Sequence, residues 1–119
     1  MTTPVDIVMP YGVTVVGDGS NYPAIDGDHP RKVTGSSIEL TPGPCKVSAS
    51  WEGPDRAILQ VSNGGKTRSL ATIPEKTGGG SRSVMVPIGA RKGDRVFLFG
   101  NRLTAGATGT LEVYPLNFE

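Results

Sequence analysis

Apolar and polar residues alternate along several short segments of the chain. The clearest of these segments is 45–52, whose apolar positions share one face and are Cys45, Val47, Ala49 and Trp51. A period of two is typical of a β-strand with one buried face. We therefore predict a half-buried strand here, with Trp51 as a core anchor and Cys45 as a buried, unreactive thiol.

Other segments of the same kind are rich in β-branched, aliphatic and aromatic residues. Pro87 cannot donate to a strand ladder, so segment 83–88 is predicted to be an edge strand or to contain a bulge. Segment 94–99 is apolar on both faces, since Phe97 and Phe99 share one face and Val96 and Leu98 the other. Such a strand lies centrally in a fold or against a partner chain. The remaining candidate strands are 5–9, 13–16, 37–41, 56–62, 67–73 and 110–114.

Glycine and proline interrupt the chain too often for ordinary helices. There are 17 glycines and 10 prolines, and the longest stretch free of both is 55–63. The sequence Ser62-Asn63-Gly64-Gly65-Lys66 predicts a hairpin, because Asn-Gly tolerates positive φ. Roughly eight or nine short strands between such turns predict an all-β fold, an antiparallel β-sandwich of the jelly-roll kind with essentially no helix.

The length of 119 residues fits one domain spanning 1–119. Within it, the stretch from Gly17 to Arg31 is rich in Asp, Gly, Ser and Asn and is predicted to be a loop or arm, and residues 114–119 form a C-terminal tail. The sequence has no signal-peptide pattern and no apolar run of membrane-spanning length, so we expect neither secretion by a signal peptide nor a membrane partner. Cys45 is the single cysteine, which excludes an intrachain disulfide.

Charge argues against nucleic acid as the main partner. Lys and Arg number 12 and Asp and Glu number 11, for a net charge of +1, whereas nucleic-acid binders carry a strong basic excess. Small basic groups could meet an acidic partner surface or simply aid solubility. These groups are Arg31-Lys32, Lys66 with Arg68, and Arg91-Lys92 with Arg95.

The sequence offers little catalytic chemistry. His29 is the only histidine, so a multi-histidine metal site is excluded, and a Cys45–His29 nucleophilic pair is disfavoured because Cys45 is in the inward phase. Asp18, Asp26 and Asp28 lack the order of a calcium loop. We expect no enzymatic activity, no metal and no cofactor. A small hydrolase built on His29 or on a pair of carboxylates is a third interpretation that stays open.

Two runs, 51–62 and 92–100, followed by Leu111-Glu112-Val113-Tyr114, resemble small β-sandwich virion proteins of tailed bacteriophages. These are capsid decoration (cement) proteins and the head domains of tail or head fibres. The resemblance lies in Gly-Asp turns before apolar strands and in the Gly/Thr/Ala-rich linker 104–110. It implies a non-enzymatic protein, often a trimer, that binds the major capsid protein lattice from outside. Such a protein is made in the host cytoplasm and is located on the virion exterior.

The expected partner interface consists of aromatic and basic side chains close to loops and chain ends. These residues are Tyr11, Tyr22, Arg31, Lys32, Phe97, Phe99, Tyr114 and Phe118. The alternative function is a carbohydrate- or receptor-binding module, in which Trp51, Tyr11 or Tyr22 would stack on sugar rings. That alternative predicts exposed, coplanar aromatic rings on one sheet face, and with three Tyr, three Phe and one Trp the platform would be small.

Overall fold

The computed structural model describes residues 9–26 and 32–116. Secondary structure in this part of the chain consists of ten strands, without a helix. The strands are β1 (Tyr11–Val16), β2 (Ala24–Asp26), β3 (Val33–Thr34), β4 (Ser37–Glu39), β5 (Gly43–Trp51), β6 (Ala57–Asn63), β7 (Lys66–Ile73), β8 (Arg82–Ala90), β9 (Arg95–Gly100) and β10 (Thr108–Pro115). It follows that residues 9–26 and 32–116 hold no helix long and apolar enough to cross a membrane.

The strands form two five-stranded sheets that pack face to face. The first sheet has the order β2-β1-β10-β5-β8 and the second sheet β3-β4-β9-β6-β7. Every pairing is antiparallel, and consecutive strands such as β4 and β5, or β8 and β9, lie in opposite sheets. This is a jelly-roll β-sandwich. The predicted fold class is confirmed, with ten strands in place of the expected eight or nine.

Individual strand predictions agree closely with the structure. Strand β5 buries the four predicted apolar side chains, and β8, which contains Pro87, is an edge strand of the first sheet. Strand β9 is the central strand of the second sheet, which explains why both of its faces are apolar. The hairpin between β6 and β7 is also confirmed, although its two positive-φ residues are Gly64 and Gly65.

The polar stretch predicted as a loop or arm contains structure that its composition conceals. Ala24–Asp26 pairs with β1 at the edge of the first sheet, with Ala24 opposite Val16. Strand β3 follows at the edge of the second sheet. The expected strand at 5–9 lies outside the described residues except for Met9, and so do His29, Arg31 and Phe118.

Trp51 lies at one end of the core between the sheets and is 0% exposed. Two glycines make room for its indole ring. A Cβ at Gly109 would lie 2.1 Å from the Ser50 carbonyl oxygen and 2.8 Å from the ring, and a Cβ at Gly17 would lie 3.1 Å from the ring and 2.1 Å from the Thr104 oxygen. Close backbone approach therefore requires glycine at both positions.

Arg82, at the start of β8, joins the loops at the same end of the sandwich. Its guanidinium donates to the backbone carbonyls of Gly53 (2.6 Å), Gly80 (2.7 Å), Asp55 (2.8 Å) and Pro74 (2.7 and 2.9 Å). The loop after β5 and the connection between β7 and β8 are thus tied together by one side chain. The planar fork of arginine, with five N–H donors, suits this role better than lysine.

Candidate functional site

The predicted interface residues separate onto different surfaces. Tyr22, Phe97 and Phe99 lie together on the outer face of the second sheet, and we call them the aromatic cluster. Tyr114 lies on the outer face of the first sheet, because its neighbour Val113 is buried in the core. Lys32 is half-buried just before β3. Arg31 and Phe118 fall outside the described residues, so their proposed roles stay predictions.

The aromatic cluster has one exposed ring on an apolar base. The ring centroid of Tyr22 lies 5.7 Å from that of Phe97 and 5.4 Å from that of Phe99, and its plane is tilted by 57° to both. Tilted pairs at this separation are favourable contacts. Tyr22 is 46% exposed while Phe97 is only 9% exposed. Tyr22 therefore shields the phenylalanines of β9 and presents its own ring to solvent.

The loop that carries Tyr22 is held in place by backbone hydrogen bonds. The N–H of Gly100 donates to the Asn21 carbonyl (2.9 Å) and that of Leu103 to the Ser20 carbonyl (2.8 Å). In return, the N–H of Gly19 donates to the Leu103 carbonyl (2.8 Å). The ring of Tyr22 is therefore positioned by its loop, and little ordering is needed before it contacts a partner.

A groove lies on either side of the aromatic cluster. The first, of about 440 Å³, combines hydroxyl groups with a cation and is lined by Tyr22, Ser36, Ser37, Ser62, Gly65, Thr67, Arg95 and Phe97. The second, of about 490 Å³, is lined by Asp55, Arg56, Ile58, Glu75, Phe99, Gly100 and Asn101. Both offer hydrogen-bonding groups beside an apolar surface, which is the usual character of a binding site.

Tyr11 has a structural role. Its hydroxyl donates to the Glu39 carbonyl (3.0 Å) and accepts from the Thr41 N–H (3.0 Å). Tyr11 belongs to the first sheet and Glu39 to the second, so this side chain joins the two sheets, and its ring packs against the core. The hydroxyl of Tyr11 thus donates and accepts hydrogen bonds within the domain. The prediction that Tyr11 lies in a partner interface finds no support in this arrangement.

The outer face of the first sheet carries very few charges. Fifteen positions of its four longer strands alternate outward from buried or half-buried neighbours, and only Lys46 and Glu112 among them are charged. These positions are Gly12, Thr14, Val16, Pro44, Lys46, Ser48, Ser50, Ser83, Met85, Pro87, Gly89, Thr108, Thr110, Glu112 and Tyr114. Asp26 adds a third charge at the β2 edge. We call this surface the first-sheet face.

Side chains of the first-sheet face hydrogen-bond to one another. The hydroxyls of Ser50 and Thr110 lie 2.8 Å apart, and Tyr114 donates to the Glu112 carboxylate at 2.5 Å. The hydrogen bond to Glu112 requires the protonated phenol, so it raises the pKa of Tyr114. Met85 is 55% exposed beside this network. The surface is therefore weakly charged and internally paired, with one large apolar side chain in contact with water.

Two turns that are distant in sequence form a basic cleft. It has a volume of about 490 Å³ and is lined by Val61, Ser62, Asn63, Lys66, Thr67, Arg68, Arg91, Lys92 and Asp94. The Asn63 amide donates to the Lys92 carbonyl (3.1 Å) and to the Asp94 carboxylate (2.7 Å), which also accepts from the Arg91 N–H (2.9 Å). These bonds fix the β6–β7 hairpin against the β8–β9 turn. The sequence indicated the basic groups separately but not their meeting at one cleft.

The groups considered for catalysis do not converge in the described part of the chain. Over residues 9–26 and 32–116 there is no cluster of three or more His, Cys, Asp or Glu side chains suited to a metal ion. Cys45 is 2% exposed, and burial, with a smaller contribution from the Asp94 charge, raises the pKa of its thiol. The predicted buried thiol is therefore confirmed. His29 lies outside the described residues, so the His29 hydrolase hypothesis is not tested.

Asp55 is a carboxylate with structural partners. It accepts from the indole N–H of Trp51 (3.2 Å), the backbone N–H of Thr104 (3.0 Å) and the Thr104 hydroxyl (3.0 Å). Burial by itself raises the pKa of Asp55, but these hydrogen bonds outweigh it and hold the pKa below its ordinary value. Since the folded-state pKa is lowered, Asp55 stabilises the fold above about pH 4, and this contribution is lost as the pH falls through the lowered value.

We expect the Asp55→Asn variant to respond less to acid than the wild type. Its melting temperature at pH 7 will be lower, because the charge-assisted bonds are weakened, and the difference from wild type will shrink as the pH falls below about 4. Thermal melts followed by circular dichroism between about pH 7 and pH 2.5 check this. A difference that stays constant over that range would mean that ionisation of Asp55 contributes nothing.

Burial of Trp51 also bears on the carbohydrate alternative. The indole is enclosed in the core, so it is a core anchor as predicted and cannot stack on a sugar. Tyr11 forms hydrogen bonds between the two sheets. Of the three aromatic residues suggested for stacking on a sugar, Tyr22 therefore remains as the candidate. The tilt of 57° between Tyr22 and both phenylalanines is not the coplanar arrangement expected of a multi-ring platform.

The fold is shared with known proteins, although the sequence is not. No protein-family model matches the chain, and no curated protein sequence matches it. Murine APRIL, crystallised at pH 8.5, is similar in structure with a TM-score of 0.63 and 12% identity, over 89% of this chain and 99% of that one. The globular domain of the zebrafish complement 1qA protein has a TM-score of 0.68 and 9% identity, over 93% and 98% of the two chains.

Similarity at this level of identity establishes the fold alone. The chain shares the jelly-roll β-sandwich fold of these two structures, which agrees with the β-sandwich part of the sequence resemblance. The similarity carries no information about phage virions, enzymatic activity or cellular location. Those parts of the interpretation stay predictions.

Proposed function

We propose that this chain is a non-enzymatic structural protein that assembles with copies of itself and binds a larger protein assembly. The low number of charged residues on the first-sheet face is the observation that supports self-assembly. Depletion of charge with retention of Met and aromatic side chains is the compositional mark of an interface core. Charged residues make up 19% of the whole chain, and surfaces designed for solubility carry about 25–35%. The four longer strands of the first-sheet face have two charges in fifteen positions, and Asp26 adds a third at the β2 edge.

The two charges on the four longer strands of this face are of opposite sign, which favours a second copy of the chain as the occupant. Lys46 lies opposite Tyr114 and Glu112 lies opposite Ser48 on the neighbouring strand. When copies of one face meet about a symmetry axis, the cation of one copy can approach the anion of another. A homo-oligomer follows, and a trimer is the state that the resemblance to phage decoration proteins implies.

The aromatic cluster supports contact with a different partner. It lies on the opposite side of the sandwich from the first-sheet face, so an oligomer leaves it accessible. The partner that the sequence resemblance implies is the major capsid protein lattice, or another virion protein, of a tailed phage. A protein that binds only the assembled lattice stabilises it by RT ln(1 + [L]/Kd), about 2.7 kcal/mol at 100 times Kd. An oligomer that grips several subunits adds avidity of about 10²- to 10⁴-fold.

A carbohydrate- or receptor-binding module is the second candidate. One observation favours it: the exposed ring of Tyr22 adjoins a groove lined by four hydroxyl-bearing side chains and Arg95. An aromatic face beside hydroxyls and a fork of N–H donors has the groups that a sugar ring requires. This function needs no oligomer, which separates it from the first candidate.

We expect the Thr110→Lys variant to dissociate the oligomer. Thr110 lies at the centre of the first-sheet face, between Thr14 and Ser50, so each interface would bury an unpaired ammonium group. The dissociation constant should rise at least about 100-fold, or about 2.7 kcal/mol. Sedimentation velocity over a range of concentrations measures this.

Thr72→Lys is the matched control, because Thr72 is an exposed strand residue of the second sheet. It should leave the oligomer intact. Circular dichroism of both variants checks that each is folded. If wild type, Thr110→Lys and Thr72→Lys all sediment as monomers, the self-assembly proposal is wrong and the carbohydrate module becomes the better interpretation.

A further inference from the structure

The basic cleft collects one third of the cationic side chains of the protein. It contains four of the 12 cationic side chains, Lys66, Arg68, Arg91 and Lys92, and one carboxylate, Asp94. Because the whole chain has a net charge of +1, the cleft is net +3 and the remainder is net −2. All four cations are exposed, whereas Asp94 is 3% exposed and is already bonded by Asn63 and Arg91. The cationic groups are therefore accessible to an anionic ligand.

We propose that the basic cleft binds an acidic, extended polypeptide segment of the partner. This deepens the proposed function by giving the chemistry of one contact with that partner, and it rests on the partner being a protein. Carboxylates of the segment would pair with Arg68 and Arg91, whose guanidinium forks match carboxylate geometry. A volume of about 490 Å³ accommodates several side chains and is large for a single inorganic anion.

The position of the cleft on an edge strand favours a polypeptide over a sulfated polysaccharide. Among the described strands, β7 is an edge of the second sheet and pairs only with β6. Its first four residues, from Lys66 to Ser69, are exposed. An edge strand presents unpaired N–H and C=O groups, and an extended peptide can use them by strand addition. A polysaccharide has no backbone amides for such pairing.

Protection of the edge is the ordinary explanation for cations on β7. Lysine and arginine on an edge strand discourage aggregation between sheets. That explanation accounts for Lys66 and Arg68. It does not account for Arg91 and Lys92, which come from the β8–β9 turn on the other side of the cleft. The hydrogen bonds of Asn63 to that turn fix the turn relative to the β6–β7 hairpin, so the two backbone segments that carry the cations need little ordering on binding. This lowers the entropic cost of binding.

The test uses a fluorescein-labelled oligo-glutamate peptide and the full chain, with binding followed by fluorescence anisotropy. We expect the wild type to bind the peptide and the double variant Arg68→Gln with Arg91→Gln to bind at least about tenfold more weakly. The matched double variant is Lys76→Gln with Arg102→Gln, which removes the same charge from exposed residues outside the cleft and outside both grooves beside the aromatic cluster. It should bind within about twofold of wild type. Thermal melts establish that both variants are folded.

Two further probes decide between ligand classes. An oligo-glutamate peptide methylated at alternate backbone nitrogens keeps its charge but cannot pair with β7, so it should bind at least about tenfold more weakly. A heparin-derived oligosaccharide should bind the cleft more weakly than the peptide. Equal binding of the peptide by wild type and the cleft variant would overturn the proposal. The proposal would also be overturned if wild type bound the oligosaccharide more tightly than the peptide and the cleft variant lost that binding. Because the peptide is measured directly, a monomeric wild type in the sedimentation experiment would not affect this result.

Discussion

Arg82→Met will destabilise the domain by about 2–4 kcal/mol. The variant keeps most of the side-chain volume but removes the donors to the carbonyls of Gly53, Asp55, Pro74 and Gly80. Each carbonyl left unpaired away from water costs about 1–3 kcal/mol, and partial exposure at this end of the sandwich lets water recover part of the sum. Urea unfolding followed by circular dichroism gives the free energy of unfolding.

Two further variants serve as controls for the unfolding measurement on Arg82→Met. Arg56→Met removes an exposed guanidinium of the same size and should change the free energy of unfolding by less than about 0.5 kcal/mol. Arg82→Lys retains the charge but not the fork, and it should recover less than half of the loss. A loss of stability in Arg82→Met no larger than that in Arg56→Met would show that the loops are held by other contacts.

Trp51→Ala is expected to cost about 3–5 kcal/mol, the usual range for removing a large aromatic side chain from a core. The indole is fully buried, and its N–H donates to Asp55, so the variant loses apolar burial and a hydrogen bond together. Since small domains are stable by about 5–15 kcal/mol, much of the free energy of unfolding would be lost. The same urea unfolding measurement applies.

If Trp51→Ala fails to fold, the milder variant Trp51→Phe tests the contribution of the indole ring to stability. Phenylalanine fills part of the space bounded by Gly17 and Gly109 but cannot donate to Asp55. We expect an intermediate loss of about 1–3 kcal/mol. A Trp51→Phe variant as stable as wild type would mean that the complementarity between the indole ring and the two glycines contributes little.

The strands of this fold could be predicted because their signals are local. Alternation in segment 45–52 gave the buried face of β5, Pro87 marked β8 as an edge strand or a bulged one, and Asn63-Gly64 marked a hairpin. The apolar character of both faces of β9 predicted a strand that is central or lies against a partner chain, and the structure shows the central position. Each of these signals depends on residues a few positions apart, so a single sequence carries them.

Features that depend on long-range contacts could not be predicted. Nothing in the residues around Arg82 shows that four carbonyls from two loops converge on it. The basic cleft likewise needs the meeting of turns about 30 residues apart, which is the separation of Asn63 from Asp94. Strand β2 was missed because a polar three-residue strand has too few positions for a periodic pattern.

The candidate interface was predicted only in part for the same reason. Residue type indicated Tyr22, Phe97 and Phe99, and the structure brings these three together. It places Tyr11 between the sheets and Tyr114 on the opposite surface of the sandwich. The first-sheet face had no signal of its own, because its small hydroxyl-bearing residues are also typical of an ordinary exposed strand face. Only the register of four strands shows how few charges they share.

Sedimentation equilibrium of the wild-type chain tests the central claim most directly, since that claim is self-association through the first-sheet face. Each chain has a mass of 12.4 kDa. We predict a measured mass of at least twice this value, in a whole multiple of it, that does not fall on dilution into the low micromolar range. A mass of one chain at every concentration would contradict the account.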